Sequence, residues 1–123
     1  MPVDPHQRAR ILIVEDEPLI ALSLKEALVD AGFRIAAIAG KLETALALIE
    51  SGGCDAAILD ANLAGVSASP AASALTACGV PFIVLSGYSS EQLQGAFHGA
   101  LCLQKPCRTA ELIQALNTIL PKQ

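Results

Sequence analysis

Four polar positions in this sequence each follow a short apolar run. Glu15-Asp16-Glu17 follows Ile11-Leu12-Ile13-Val14, Asp60 ends the run from Cys54, Ser86 ends Pro81 to Leu85, and Lys105 lies just past Ala100 to Leu103. Gathered in one place, Glu15, Asp16 and Asp60 would repel and raise one another's pKa. A hard divalent cation with oxygen ligands resolves that repulsion, and Mg2+ suits a site that keeps several waters. An ionised Asp is also a nucleophile towards a phosphoryl group. Phosphoryl transfer needs positive charge and hydrogen-bond donors on the equatorial oxygens. Mg2+, the Lys105 ammonium and the Ser86 hydroxyl would supply them, and Gly87 leaves space for the incoming group.

The elements that must position these residues follow from periodicity. Ile11 to Val14 is too short for a helix and reads as a buried strand. Pro18 suits a first helical turn, Ile20, Leu24, Ala27 and Leu28 recur on one face, and Gly32 is the stop. Phe33 to Ala39 reads as a second strand. Leu42, Ala45, Leu46 and Ile49 mark a second helix ended by Gly52-Gly53. Cys54 to Leu59 is the third strand, residues 62–70 a loop, and Pro70 to Cys78 a short helix. Pro81 to Leu85 is the fourth strand, Ser89 to Phe97 a weak helix, and Ala100 to Leu103 the fifth strand. Leu112, Ile113, Leu116 and Leu120 mark the last helix. This is (βα)5 in one domain over residues 10–121 with no spare strand, after a flexible tail over residues 1–9. In such open α/β sheets ligands sit at the carboxyl ends of the strands, and all four polar positions fall there.

Each position also has a plainer reading. The acidic triplet could be the first turn of a helix. Asp60 could make an Asx-turn, Ser86 could be a cap or turn residue, and Lys105 could be a solvated lysine. Together those readings need four coincidences, each at the end of a different strand.

Composition excludes other classes. The 123 residues are 53% hydrophobic and 16% charged, with no Trp, one Tyr and three Phe, so the core must be aliphatic and the chain is not disordered. A net charge of −4 with scattered Lys and Arg predicts no nucleic-acid partner. No apolar run approaches the roughly 20 residues that span a bilayer. Residues 1–10 lack a signal peptide's apolar segment, so a cytoplasmic protein is expected. Cys54, Cys78, Cys102 and Cys107 form no metal-binding spacing and are expected to be buried thiols.

The motifs Val14-Glu15-Asp16-Glu17-Pro18, Ile58-Leu59-Asp60-Ala61-Asn62-Leu63, Ser86-Gly87 and Lys105-Pro106 carry a resemblance over about residues 8–120. The chain resembles the response-regulator receiver domain of bacterial two-component signalling. Pro81, Phe82, Gly87 and Tyr88 agree with the "FAT GUY" subclass, whereas Val84, Leu85 and Ser86 depart from it. The resemblance implies a flavodoxin-like five-stranded parallel sheet in the order 2-1-3-4-5. It implies that Asp60 takes phosphate from a histidine kinase or histidine phosphotransfer protein. Asp16 and Asp60 would ligate Mg2+ through side chains, Asn62 through its backbone carbonyl, and Glu15 mostly through water. A cis Lys105-Pro106 bond would aim the ammonium into the site. Cys102 stands where many receivers carry an aromatic switch residue, Cys107 where Phe is frequent, and Ala64 where Pro is frequent. None removes the phosphorylation chemistry, but together they count against the usual output route.

The expected protein is a stand-alone, monomeric phosphoacceptor switch. It would catalyse its own phosphorylation and dephosphorylation, and signal through contacts with an unknown downstream protein or by onward phosphotransfer. The switch residues would be Ser86, Gly87 and Tyr88, with segment 87–99 mobile before phosphorylation and ordered after it. Three alternatives stand beside this. A haloacid dehalogenase-like phosphatase would need Asp two residues past Asp60, where Asn62 stands. An FMN carrier would place its phosphate against the acidic cluster. A phosphorylation-independent pseudo-receiver would leave the acid–Ser–Lys set without a role.

Overall fold

Alternate residues of each strand face opposite sides of the sheet, so a strand buried on both faces needs apolar side chains throughout. Apart from Arg10 and Asp60 at their ends, strands β1 (Arg10–Val14) and β3 (Ala56–Asp60) meet that requirement, and they lie inside the sheet. The computed structural model describes residues 9–87, 95–97 and 100–120. Its remaining elements are α1 (Pro18–Asp30), β2 (Arg34–Ala39), α2 (Leu42–Glu50), β4 (Asn62–Leu63), β5 (Val66–Ser67), α3 (Ser69–Ala77), β6 (Phe82–Ser86), a 3-10 turn (Gly95–Phe97), β7 (Leu101–Gln104) and α4 (Thr109–Ile119). The parallel sheet runs β2-β1-β3-β6-β7, the flavodoxin-like order expected once the short β4–β5 pair is set aside. Its edge strands β2 and β7 are only half-buried, as one free edge requires.

The pleat sorts the core into two layers. Ile11, Ile13, Ile58, Ile83 and Leu85 face Leu28 of α1 and Leu112 and Leu116 of α4. Leu12, Val14, Leu59 and Val84 face Ile49 of α2, Leu75 of α3 and Phe97. Helix ends are set locally. Gly32, at φ +95°, closes α1 with its N–H on Val29 O, while the Phe33 N–H reaches Leu28 O. That pair of bonds is a Schellman cap, and Phe33 and Leu28 share one buried cluster beneath it.

Several boundaries differ from the sequence expectation. The third strand starts at Ala56, because Asp55 bends to exchange hydrogen bonds with Arg10: its N–H reaches Arg10 O at 2.8 Å and its Oδ2 accepts the Arg10 N–H at 2.7 Å. The fourth starts at Phe82, since Pro81 has no N–H for a ladder. The expected loop over 62–70 contains a spare antiparallel pair, Asn62↔Ser67 and Leu63↔Val66. Its two-residue turn, Ala64 (φ +51°) and Gly65 (φ +89°), has the left-handed geometry of a type I′ hairpin. Alanine does not announce such a turn, so the sequence pattern concealed it. The left-handed region costs an L-residue roughly 1–2 kcal/mol. Ala64→Gly is therefore expected to stabilise the protein by about 0.5–1 kcal/mol after the added chain entropy, measurable by denaturant unfolding.

The cysteines also depart from expectation. Cys78 is exposed, and Cys54, Cys102 and Cys107 are half-buried. They sit at the cap of α3, before β3, on the edge strand β7 and after the last strand, none of them central. Burial pushes the Cys54, Cys102 and Cys107 thiols up, which disfavours the reactive thiolate. Ala9 is already buried, and its carbonyl accepts the Arg34 N–H. Residues 1–8 of the expected tail, Tyr88 and most of the expected helix over 89–97 lie outside the described residues. Among the described residues no helix is long and apolar enough to cross a membrane.

Candidate phosphoacceptor site

Sheet register places the polar residues. Val14 pairs with Leu59 and Asp60 with Leu85, so Glu15 and Asp60 leave neighbouring strands at one level. Ser86 pairs with Gln104, and the Lys105 N–H extends that ladder to Ser86 O at 2.8 Å. Lys105 thereby rises over the carboxyl edge beside Asp60. Among the described residues the buried polar or charged side chains are Glu15, Asp60 and Ser86, and all three stand on this edge.

The acids are held individually. Glu15 is 2% exposed, and its Oε1 accepts the Glu17 N–H at 3.2 Å. Asp60 Oδ1 accepts the Asn62 N–H at 3.1 Å, the Asx-turn of the plainer reading. Asp60 Oδ2 lies 2.7 Å from Lys105 Nζ, which also reaches Glu15 Oε2 at 3.3 Å. Lys105 is thus not a solvated lysine. The acidic triplet is not a first helical turn either, because α1 begins at Pro18. The Lys105-Pro106 bond is cis. Among the described residues nothing lies within 4 Å of a Cβ built at Gly87. Sequence reasoning missed the Glu17 N–H and the hairpin after Asp60. Asn-x-x-Gly at 62–65 is a turn spacing that could have shown the latter.

Charge and burial compete here. Burial is the largest cause that pushes the Glu15 carboxyl from 4.5 up to about 7. Its hydrogen bond with Asp60 and the Asp60 charge add to that, against the Glu17 N–H and the Lys105 charge. Repulsion between the acids, the cause expected from sequence, is therefore secondary. Burial alone would lower Lys105, yet its hydrogen bond to Asp60 and the charges of Asp60 and Glu15 hold it above its ordinary value. Folding raises the Glu15 pKa, so without metal the native state binds more protons than the unfolded chain between pH 4.5 and about 7. Stability contributed by Glu15 is then full below 4.5 and lost as pH rises through about 7. Glu15→Gln is expected to flatten that decline, which urea titrations across the same range in metal-free buffer would measure. The raised Lys105 pKa acts in the same sense, but only above 10.5.

Glu15, Asp16 and Asp60 each offer an oxygen, and these atoms lie within 4.8 Å of one another. An all-oxygen, anionic donor set of this kind fits a hard divalent cation such as Mg2+. Beside Lys105 a groove of about 570 Å³ runs between α1 and the start of α4, lined by Leu19, Ile20, Leu24, Pro106, Cys107 and Leu112.

Residues 11–117 match the response regulator receiver domain. SdrG from Sphingomonas melonis Fr1 is 38% identical, with a TM-score of 0.79 over 92% of this chain and 97% of that one. TrrA from Thermotoga maritima, in complex with Mg2+-BeF, is 31% identical, with a TM-score of 0.80 over 91% of this chain and 99% of that one. The transcriptional regulatory protein PdtaR of Mycobacterium tuberculosis is 33% identical over 112 residues, which are 88% of this chain and 55% of PdtaR. The chain thus spans about half the length of that curated relative. The receiver match runs from β1 into α4 and takes in every strand of the parallel sheet, so this chain belongs to the response regulator receiver domain family.

Proposed function

We infer that this protein is the phosphoacceptor of a two-component phosphorelay, with Asp60 as the acceptor, phosphohistidine as the donor and Mg2+ as the cofactor. The observation that carries this reading is the placement of all described buried polar side chains on one sheet edge, with Lys105 Nζ 2.7 Å from Asp60. Glu15, Asp16 and Asp60, with the Asn62 backbone carbonyl, would hold the ion. When bound, Mg2+ offsets the carboxylate charge and polarises phosphoryl oxygens. Asp60 supplies the attacking oxygen: its O–P bond forms as the donor's N–P bond breaks, and the electron pair stays on the donor nitrogen. Lys105 follows the phosphoryl charge, and Ser86 donates its hydroxyl to a phosphoryl oxygen.

The groove beside Lys105 gives the donor's histidine-bearing segment an apolar seat. We place output in contacts with a downstream protein or in onward phosphotransfer, from a monomeric cytoplasmic protein. Gly87 and Tyr88 would carry the change away from Ser86, since Cys102 has no ring to rotate. Pro81 before β6, Phe82 at its start and Gly87 after it support the FAT GUY subclass.

Intact mass after acetyl phosphate treatment tests the reading. The protein should gain one phosphoryl group with Mg2+ and none with EDTA. No gain under either condition would leave the pseudo-receiver reading standing.

A further inference from the structure

The hairpin after Asp60 meets the core through Leu63 and through Ala61 and Ala68 at its base. Two short strands are marginal in isolation, and of these strand residues only Leu63 is buried, while Val66 and Ser67 face solvent. Its turn is further weakened by the left-handed Ala64. The Ala68 N–H reaches Ala61 O at 3.0 Å and continues the ladder at the open end of the hairpin, and one side-chain bond braces its turn: Asn62 Oδ1 accepts the Gly65 N–H at 2.7 Å. The Asn62 backbone in turn donates its N–H to Asp60 Oδ1 at 3.1 Å. One residue therefore joins the turn to the carboxylate. Its side chain holds the turn and its main-chain N–H holds the carboxylate.

We propose that the Asn62 side chain is a positioning residue: by closing the hairpin it holds the Asn62 main chain, and through it the Asp60 carboxylate, in the orientation that phosphoryl transfer uses. The proposal rests on Asp60 being the phosphoacceptor. With Oδ1 fixed by Asn62 and Oδ2 facing Lys105, the plane of the carboxylate is set from two sides. Loss of the hairpin bond frees one side. A misplacement of about 1 Å at a reacting group can cost up to roughly a hundredfold in rate.

The test compares wild type, Asn62→Ala and Asn62→Asp. Asp keeps an oxygen for the Gly65 N–H, whereas Ala does not. Asn62 is exposed, so both variants are expected to fold. Without Mg2+, two nuclear magnetic resonance signals are read: Gly65 amide exchange and the Asp60 carboxyl carbon shift. Both should move in Asn62→Ala and stay near wild type in Asn62→Asp. With acetyl phosphate and saturating Mg2+, Asn62→Ala should phosphorylate roughly tenfold or more slowly than wild type, and Asn62→Asp should recover part of that loss. Equal rates for Asn62→Ala and wild type, or Asn62→Asp as slow as Asn62→Ala, would overturn the proposal. A wild type that takes no phosphate would instead overturn the phosphoacceptor reading, because the metal-free signals report on the hairpin and the carboxylate whether or not phosphate is taken up.

Discussion

Asp60→Asn is expected to abolish phosphoryl uptake from acetyl phosphate while leaving the fold intact. The amide keeps an oxygen where Oδ1 now accepts the Asn62 N–H, so the Asx-turn at the end of β3 can persist. What is lost is the negative charge that makes the carboxylate a nucleophile. The surrounding charges then rebalance. Two of the causes that raise Glu15 come from Asp60, its hydrogen bond and its charge, so Glu15 should ionise more readily in the variant. Lys105 keeps a partner in Glu15 at 3.3 Å. Stability should therefore change little, whereas the mass gain disappears. Intact mass and thermal unfolding, measured on the same samples, separate the two effects. A variant that still gains a phosphoryl group at the wild-type rate places the acceptor elsewhere.

The sequence exposed the parts of this fold that repeat and hid those that depend on one residue's conformation. Ile11 to Val14 could only be a buried strand, and β1 is buried from Ile11 onward. The site was legible for the same reason: strand ends are easy to locate, and charged residues seldom end buried strands without a cause. Register then did the rest, since a parallel ladder places Glu15 level with Asp60. The hairpin was not legible, because Ala64 gives no sign of its left-handed backbone. Nor was the origin of the Glu15 shift. Three acids in a sequence suggest repulsion, but only the packed structure shows a carboxyl at 2% exposure, where burial weighs more than its neighbours' charge. Cysteine's general preference for the interior misled for a similar reason. Position in the sheet decides burial, and Cys102 lies on an edge strand.

Lys105→Ala should show how far the unphosphorylated site depends on the Lys105 ammonium. Lys105 Nζ bridges Asp60 Oδ2 and Glu15 Oε2, two acids with side chains 9% and 1% exposed. Its removal leaves two carboxylates facing each other with little water. Breaking a fully buried pair costs about 3–5 kcal/mol. The lysine side chain is 29% exposed, and solvent screening lowers the expected loss to roughly 1–3 kcal/mol in metal-free buffer above pH 7. Below that pH the loss should shrink, because Glu15 can take up a proton and relieve the repulsion. Mg2+ should restore stability more in the variant than in wild type, since a ligand that binds only the native state adds to it. Phosphorylation should continue, more slowly, because Asp60 retains its charge. The conformational response should fall away, since the phosphoryl group loses the cation it would draw across. Thermal unfolding with and without Mg2+ at two pH values reads the first effect, and amide shifts on adding beryllofluoride read the second. A variant as stable as wild type without metal at high pH would mean that the acids do not depend on Lys105. A full shift response would mean that the signal leaves the site without it.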